Sequence, residues 1–159
     1  MYPDFKELLS TLNEHRVKYL VVGAYAVAIY VQPRATKDLD ILVKADAANA
    51  DAVFAALAKF GAPLEGLSAA DFSEAGPFFR VGRPPIAIDI LTEIPGIEFD
   101  PAWQRRVEAV IDEKSGLKAT FISADDLIAS KQAAGRLQDL ADADAIAKAQ
   151  NLRPGKNTS

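Results

Sequence analysis

QPRATKDLDILV, residues 32–43, places two aspartates one residue apart at the mouth of an apolar run. Pro33 ends whatever precedes it, and DLDILVK (38–44) reads as a strand. Successive strand side chains point to opposite faces, so Asp38 and Asp40 share one face while Leu39 and Ile41 share the other. The two carboxylates start roughly 7 Å apart at their bases. They can converge on one cation, or on two cations about 3.5–4 Å apart. Without a cation the like charges repel and one tends to take up a proton. The bland alternative is a pair of solvated acids at a strand start, one of them capping a turn. Arg34 and Lys37 lie close enough in sequence to neutralise phosphate oxygens or to balance the acids, and Thr36 is placed to hold the loop through backbone hydrogen bonds.

Upstream, Phe5, Leu8, Leu9 and Leu12 recur at helical spacing within residues 3–15, with Pro3 suited to a first turn. VKYLVVG (17–23) is a β-branched run ending at Gly23, and the alanine-rich AYAVAIYV (24–31) reads as a short helix. A helix beginning at Gly23 and Ala24 would present free backbone N–H groups, which suit phosphate. A plain strand-to-helix turn accounts for the glycine equally well.

Downstream, residues 45–61 form an alanine-rich helix with Val53, Phe54 and Leu57 on one face and Gly61 as its cap. Residues 62–76 read as irregular. PFFRVG (77–82) and PIAIDILTEI (85–94) read as two strands of an antiparallel hairpin turning at GRPP (82–85). Asp89 falls inside the second strand, where an ionised carboxylate needs a partner. That partner is either a metal or a cation across the hairpin, Arg80 or Arg83. Residues 105–123 read as two more strands around Lys114-Ser115-Gly116. Ser123 and Asp126 match a capping box that opens a helix to about Gly135, and a second helix covers roughly 136–149. Lys131 sits close to the apolar face of the first, where it either snorkels outward or reaches into a site. Arg136 and Asp139 have the spacing of a local ion pair. His15, the single histidine, ends the first helix, away from any general-base position, and Trp103 reads as a packing residue.

The whole is expected as an α+β (α/β) domain: a mixed β-sheet flanked by helices, closed by a C-terminal helical pair. One domain should span 1–150, with a polar tail at 151–159. The net charge of −4 argues against a broad nucleic-acid footprint, and the absence of cysteine excludes disulfides, thiolate zinc sites and cysteine nucleophiles. The N-terminus lacks a signal-peptide layout, and the longest apolar run, residues 19–31, is too short to span a bilayer. A soluble, cytoplasmic protein with no membrane partner is expected.

Together these motifs resemble the nucleotidyltransferase superfamily with the DNA polymerase β-like fold. A glycine turn and its helix are followed by a D-x-D strand, and a third carboxylate comes from a later strand. More narrowly, the pattern resembles minimal bacterial nucleotidyltransferases related to the toxin of the AbiE abortive-infection system. The signature of that group, Arg-x-Thr-x-Asp-[Ile/Leu]-Asp, is met by Arg34, Thr36, Asp38 and Asp40. Its later helix motif is met by Lys131, Ala134, Gly135, Arg136 and Asp139.

The resemblance implies Mg²⁺ (or Mn²⁺) on Asp38, Asp40 and Asp89, with Asp89 also helping to activate an acceptor hydroxyl. It implies a nucleotide site at Gly23, Ala24, Arg34, Thr36, Lys131 and Arg136, an NTP such as ATP as substrate, and nucleotidyl transfer with release of pyrophosphate. The acceptor is open among protein, tRNA and small molecule, and a cognate antitoxin or partner protein belongs to the same picture. The turn reads Gly23-Ala24 where the superfamily has Gly-Gly or Gly-Ser. That departure motivates an alternative, a weakly active or inactive domain binding nucleotide or a partner. A two-metal phosphohydrolase using the same aspartates is a third reading.

Overall fold

The computed structural model describes residues 1–33, 35–82 and 84–152. Arg34, Arg83 and 153–159, most of the expected tail, lie outside the described residues.

Helix α1 (Pro3–Glu14) has Pro3 in its first turn and buries Phe5, Leu8, Leu9 and Leu12. Strand β1 (Tyr19–Val22) is buried along its length and runs without a loop into helix α2 (Gly23–Tyr30). Gly23 makes that junction at φ +69°, a left-handed conformation that side chains resist. Strand β2 (Asp38–Val43) starts exposed at Asp38, buries Leu39, half-buries Asp40 and then stays buried. Helix α3 (Ala47–Phe60) is capped by the Asp46 carboxylate, which accepts from the Asn49 N–H at 2.7 Å, and is closed by Gly61 at φ +94°.

Strands β3 (Phe78–Val81) and β4 (Ala87–Leu91) form the expected antiparallel hairpin. Strands β5 (Val107–Asp112) and β6 (Leu117–Phe121) form a second one, with a register irregularity between Val110 and Asp112. Helices α5 (Ala124–Ala134) and α6 (Leu137–Asn151) are the expected C-terminal pair, joined through Gly135 at φ +73°. The Ser123 hydroxyl caps α5 through the Asp126 N–H at 3.1 Å. The Asp126 carboxylate is drawn instead to Arg105, at 2.8 and 3.0 Å, and to the Ser123 hydroxyl.

Two elements had no sequence signal. The region read as irregular contains a 3₁₀ turn at Ala69–Phe72, held by a Ser68/Asp71 capping box, that delivers Phe72 to the core. Helix α4 (Phe99–Gln104) carries Pro101, which masks its helical character; Phe99 and Trp103 stack along it at 5.9 Å.

The six strands order as β3-β4-β2-β1-β6-β5. β2–β4 and β1–β6 are parallel and the other pairings antiparallel, so the sheet is mixed. One face carries Tyr19, Val21, Leu39, Ile41, Ile88 and Ile90, all buried. Tyr19 reaches α1 from this face through a 2.8 Å hydrogen bond to Asn13. The opposite face carries Asp38, Asp40, Asp89 and Arg80. No helix among the described residues is long and apolar enough to cross a membrane.

Candidate functional site

Register decides what the two aspartates of β2 meet. Asp40 lies opposite Val22 on β1 and opposite Asp89 on β4, and Asp89 lies opposite Arg80 on β3. Side chains opposite one another on adjacent strands share a face, so Asp40, Asp89 and Arg80 form a row across the sheet. Asp38 pairs with Ala87, one row away.

Asp40 stands in the middle of this charge. Burial, the charges of Asp89 and Asp38 and a hydrogen bond with Asp89 push its carboxyl up to about 6, against a weaker opposing pull from Lys131. Gly23 is packed directly against it. A Cβ at position 23 would overlap the Asp40 carboxylate and lie 3.1 Å from its Cβ. Glycine at this junction therefore serves two ends, a positive φ and close approach of the α2 N-terminus to Asp40.

Asp89 has found the cross-hairpin partner. Arg80 donates to both of its oxygens, Nε at 2.7 Å and Nη2 at 2.9 Å. The sequence left open Arg80, Arg83 or a metal, and Arg80 makes the bond.

A cavity of about 380 Å³ opens beside Asp40, between the sheet and α5; Asp38, Asp89 and Arg80 lie outside its wall. Gly23, Asp40, Lys131 and Arg136 all line it, with Leu91, Ile94, Pro95 and Leu127 as its apolar wall. Gly96, at φ +71°, leaves room for the 94–96 loop to lie against Ala133 of α5. Lys131 enters from the last turn of α5 and Arg136 from the N-cap of α6. The Lys131 ammonium sits 3.5 Å from Asp139 and 3.3 Å from Asp142, two carboxylates nearly closed off from water. Arg136 donates from Nε to Asp139 at 2.7 Å, the local pair its spacing suggested. Arg136 and Lys131 together hold the Asp139 carboxyl below its ordinary value against the opposing effect of burial.

The other predicted residues are distributed differently. Thr36 accepts from the Asp38 N–H at 3.2 Å, the backbone role expected of it. It lines a larger, mostly apolar cavity of about 660 Å³ with Tyr2, Tyr25 and Ile29 rather than the Asp40 cavity. Ala24 is the second residue of α2 and lies outside the wall of the Asp40 cavity. Arg34 lies outside the described residues. Asp142 was missed. Its signal was a second acid three residues after Asp139, on the face that also carries buried Ala143 and Ile146.

The donor set fits a hard divalent cation in part. Asp38 and Asp40 offer carboxylate oxygens; burial first, and the neighbouring charges of Asp89 and Asp38 second, raise the Asp40 carboxyl, and a cation would relieve that crowding of charge. Asp89 is committed to Arg80. Among the described residues no three His, Cys, Asp or Glu side chains stand as a ready-made set of ligands.

A mixed sheet with D-x-D on one strand, an acid on its parallel neighbour and a glycine-led helix beside them is a nucleotidyltransferase arrangement. Residues 4–152 match the family described as "Nucleotidyltransferase of unknown function (DUF6036)", and the chain belongs to that family. No curated protein matches it in sequence. Solved structures share the fold at low identity. The lincosamide antibiotic adenylyltransferase LnuA, lincomycin-bound, is 15% identical with a TM-score of 0.59, over 94% of this chain and 98% of that one. The antibiotic-resistance factor ANT(2'')-Ia is 12% identical with a TM-score of 0.60, over 91% and 81% of the two chains. An antigenic nucleotidyltransferase-like protein from Paracoccidioides brasiliensis is 19% identical with a TM-score of 0.52, over 91% and 72%.

Proposed function

We propose that the protein transfers a nucleoside monophosphate group from an NTP, ATP among the candidates, to a hydroxyl acceptor. The observation that carries this reading is the single cavity in which Gly23, Asp40, Lys131 and Arg136 meet. Backbone N–H groups at the α2 N-terminus bind the triphosphate, and Lys131 and Arg136 add positive charge for its oxygens. Ile94, Pro95 and Leu127 give the base an apolar wall. Asp38 and Asp40, with Asp89 once Arg80 gives it up, would hold Mg²⁺ or Mn²⁺, which when bound supplies charge stabilisation for the attacking and leaving oxygens. The acceptor oxygen forms a bond to the α-phosphorus as the bond to the β-phosphate oxygen breaks, releasing pyrophosphate. The acceptor proton passes to Asp89 and then to water.

The lincosamide and ANT(2'') structures favour a small hydroxyl compound over protein or tRNA as acceptor, and a net charge of −4 supports that preference. An NTP-using enzyme of this kind belongs in the cytoplasm, where NTPs are found. The narrower likeness to AbiE-type toxins, with a cognate antitoxin as partner, rests on the Arg34–Asp40 and Lys131–Asp139 motifs alone.

One experiment tests the reading directly. Mg²⁺ with an NTP should raise the melting temperature, and Asp38→Ala with Asp40→Ala should abolish the rise. No shift with any of the four NTPs and either Mg²⁺ or Mn²⁺ would refute it. The Arg80–Asp89 ion pair favours a second reading, a nucleotide-binding or partner-binding domain without catalysis. Robust transfer of radiolabel from an NTP to any acceptor eliminates that alternative.

A further inference from the structure

Arg80 occupies the oxygens that the third carboxylate would offer to a metal. Its guanidinium meets Asp89 as a fork, with Nε and Nη2 on separate oxygens at 2.7 and 2.9 Å. A carboxylate held this way has few lone-pair directions left for a second cation. The two side chains are unequally placed. Asp89 is 13% exposed and Arg80 61%, on the edge strand β3 of the sheet. The arginine can therefore swing into water without uncovering core, whereas Asp89 stays beside Asp40.

On the reading of this cavity as a nucleotidyltransferase centre, we propose that Arg80 competes with the divalent cation for Asp89 and so sets the cation affinity of the complete site. Loading of Asp89 and release of Arg80 are then one event. The apparent affinity for an ion that uses Asp89 is lowered by the fraction of molecules in which the arginine has left. The cations that line the cavity, Lys131 and Arg136, are paired with Asp139 and Asp142 instead of Asp89. Arg80 is thus a specificity-determining residue, acting on the metal rather than on the nucleotide.

Mn²⁺ binding to the full chain, followed by the electron paramagnetic resonance of the free ion without nucleotide, tests the competition. Arg80→Gln should tighten Mn²⁺ binding about threefold to tenfold, the range expected for freeing an exposed bidentate pair. Arg80→Lys keeps the charge and loses the fork, and should give a smaller gain in the same direction. In an Asp89→Asn background Arg80→Gln should add nothing. Unchanged affinity in Arg80→Gln, or no Mn²⁺ binding by any variant, overturns the proposal. So does a gain that persists in the Asp89→Asn background, because the arginine would then act through its charge alone. Nucleotide transfer is scored separately. Tighter Mn²⁺ without transfer sinks the catalytic reading and leaves the competition standing, and transfer with unchanged Mn²⁺ affinity does the reverse.

Discussion

Gly23 and Asp40 are in direct contact: the backbone at the start of α2 lies where any side chain at position 23 would overlap the Asp40 carboxylate. The contact brings the start of α2 against the one member of the acidic row that lines the cavity. It also explains why a glycine stands at this junction, where φ is +69°.

Gly23→Ala should therefore be costly twice, through a left-handed backbone and through the clash. A loss of about 2 kcal/mol or more is expected, together with loss of NTP binding. Combining it with Asp40→Ala should recover part of the stability, because the overlap with the carboxylate is removed while the tight approach to the residue-40 Cβ and the backbone strain stay. Urea denaturation of the two single variants and the double variant measures the coupling. Strict additivity would show that the contact is not felt.

Asp40 should make the protein less stable as pH rises. Its carboxyl titrates near 3.8 when free and is pushed up to about 6 in the fold. Between those values the folded chain holds more protons than the unfolded one, so stability falls with rising pH across that window and is flat above it. Asp40→Asn should stabilise the protein at neutral pH by about 1–2 kcal/mol, a figure discounted for the partial exposure of the site. The gain should vanish below about pH 4. Denaturant melts across this range decide the matter. Destabilisation by Asp40→Asn at neutral pH would refute the assignment.

On the proposed reading of the site, the same group governs cation loading. A protonated Asp40 cannot bind a cation as a carboxylate, so Mn²⁺ affinity should rise as pH passes upward through about 6 and then level off. Calorimetric titration with Mn²⁺ at acidic and neutral pH reads this. A pH-independent affinity would place the ion away from Asp40.

Lys131 answers two buried carboxylates, Asp139 at 3.5 Å and Asp142 at 3.3 Å. Lys131→Met leaves Asp139 its Arg136 pair and Asp142 its hydrogen bond from Gln138, but removes the ammonium both share, and a loss of about 3 kcal/mol is expected. Adding Asp142→Asn should return part of it. A thermal melt that does not separate Lys131→Met from wild type would mean the acids are hydrated in solution.

Much of this was legible in the chain because it depends on local periodicity. The hydrophobic alternation of DLDILV determined that Asp38 and Asp40 share a face, since strand side chains alternate whatever the strand packs against. The same logic marked Asp89 as a buried acid needing a partner. Ser123, Gly61 and Gly135 announced helix ends, because capping is a property of a few consecutive residues. Helix α4 and the 3₁₀ turn carried no such pattern: Pro101 and short length left nothing periodic to read.

The sequence by itself thus determined every element except α4 and the 3₁₀ turn, the shared face of the aspartates and the nucleotidyltransferase signature. Only the tertiary structure decided which charges meet. Asp40 lies opposite Asp89 because β2 and β4, far apart in the chain, pair in parallel at that register. Arg80 reaches Asp89 because the β3–β4 hairpin sets the two opposite each other. Lys131 faces Asp142 as well as Asp139 because α6 folds back against α5. Registers between distant strands and helices are set by the shapes that fill the core, and no local pattern encodes them.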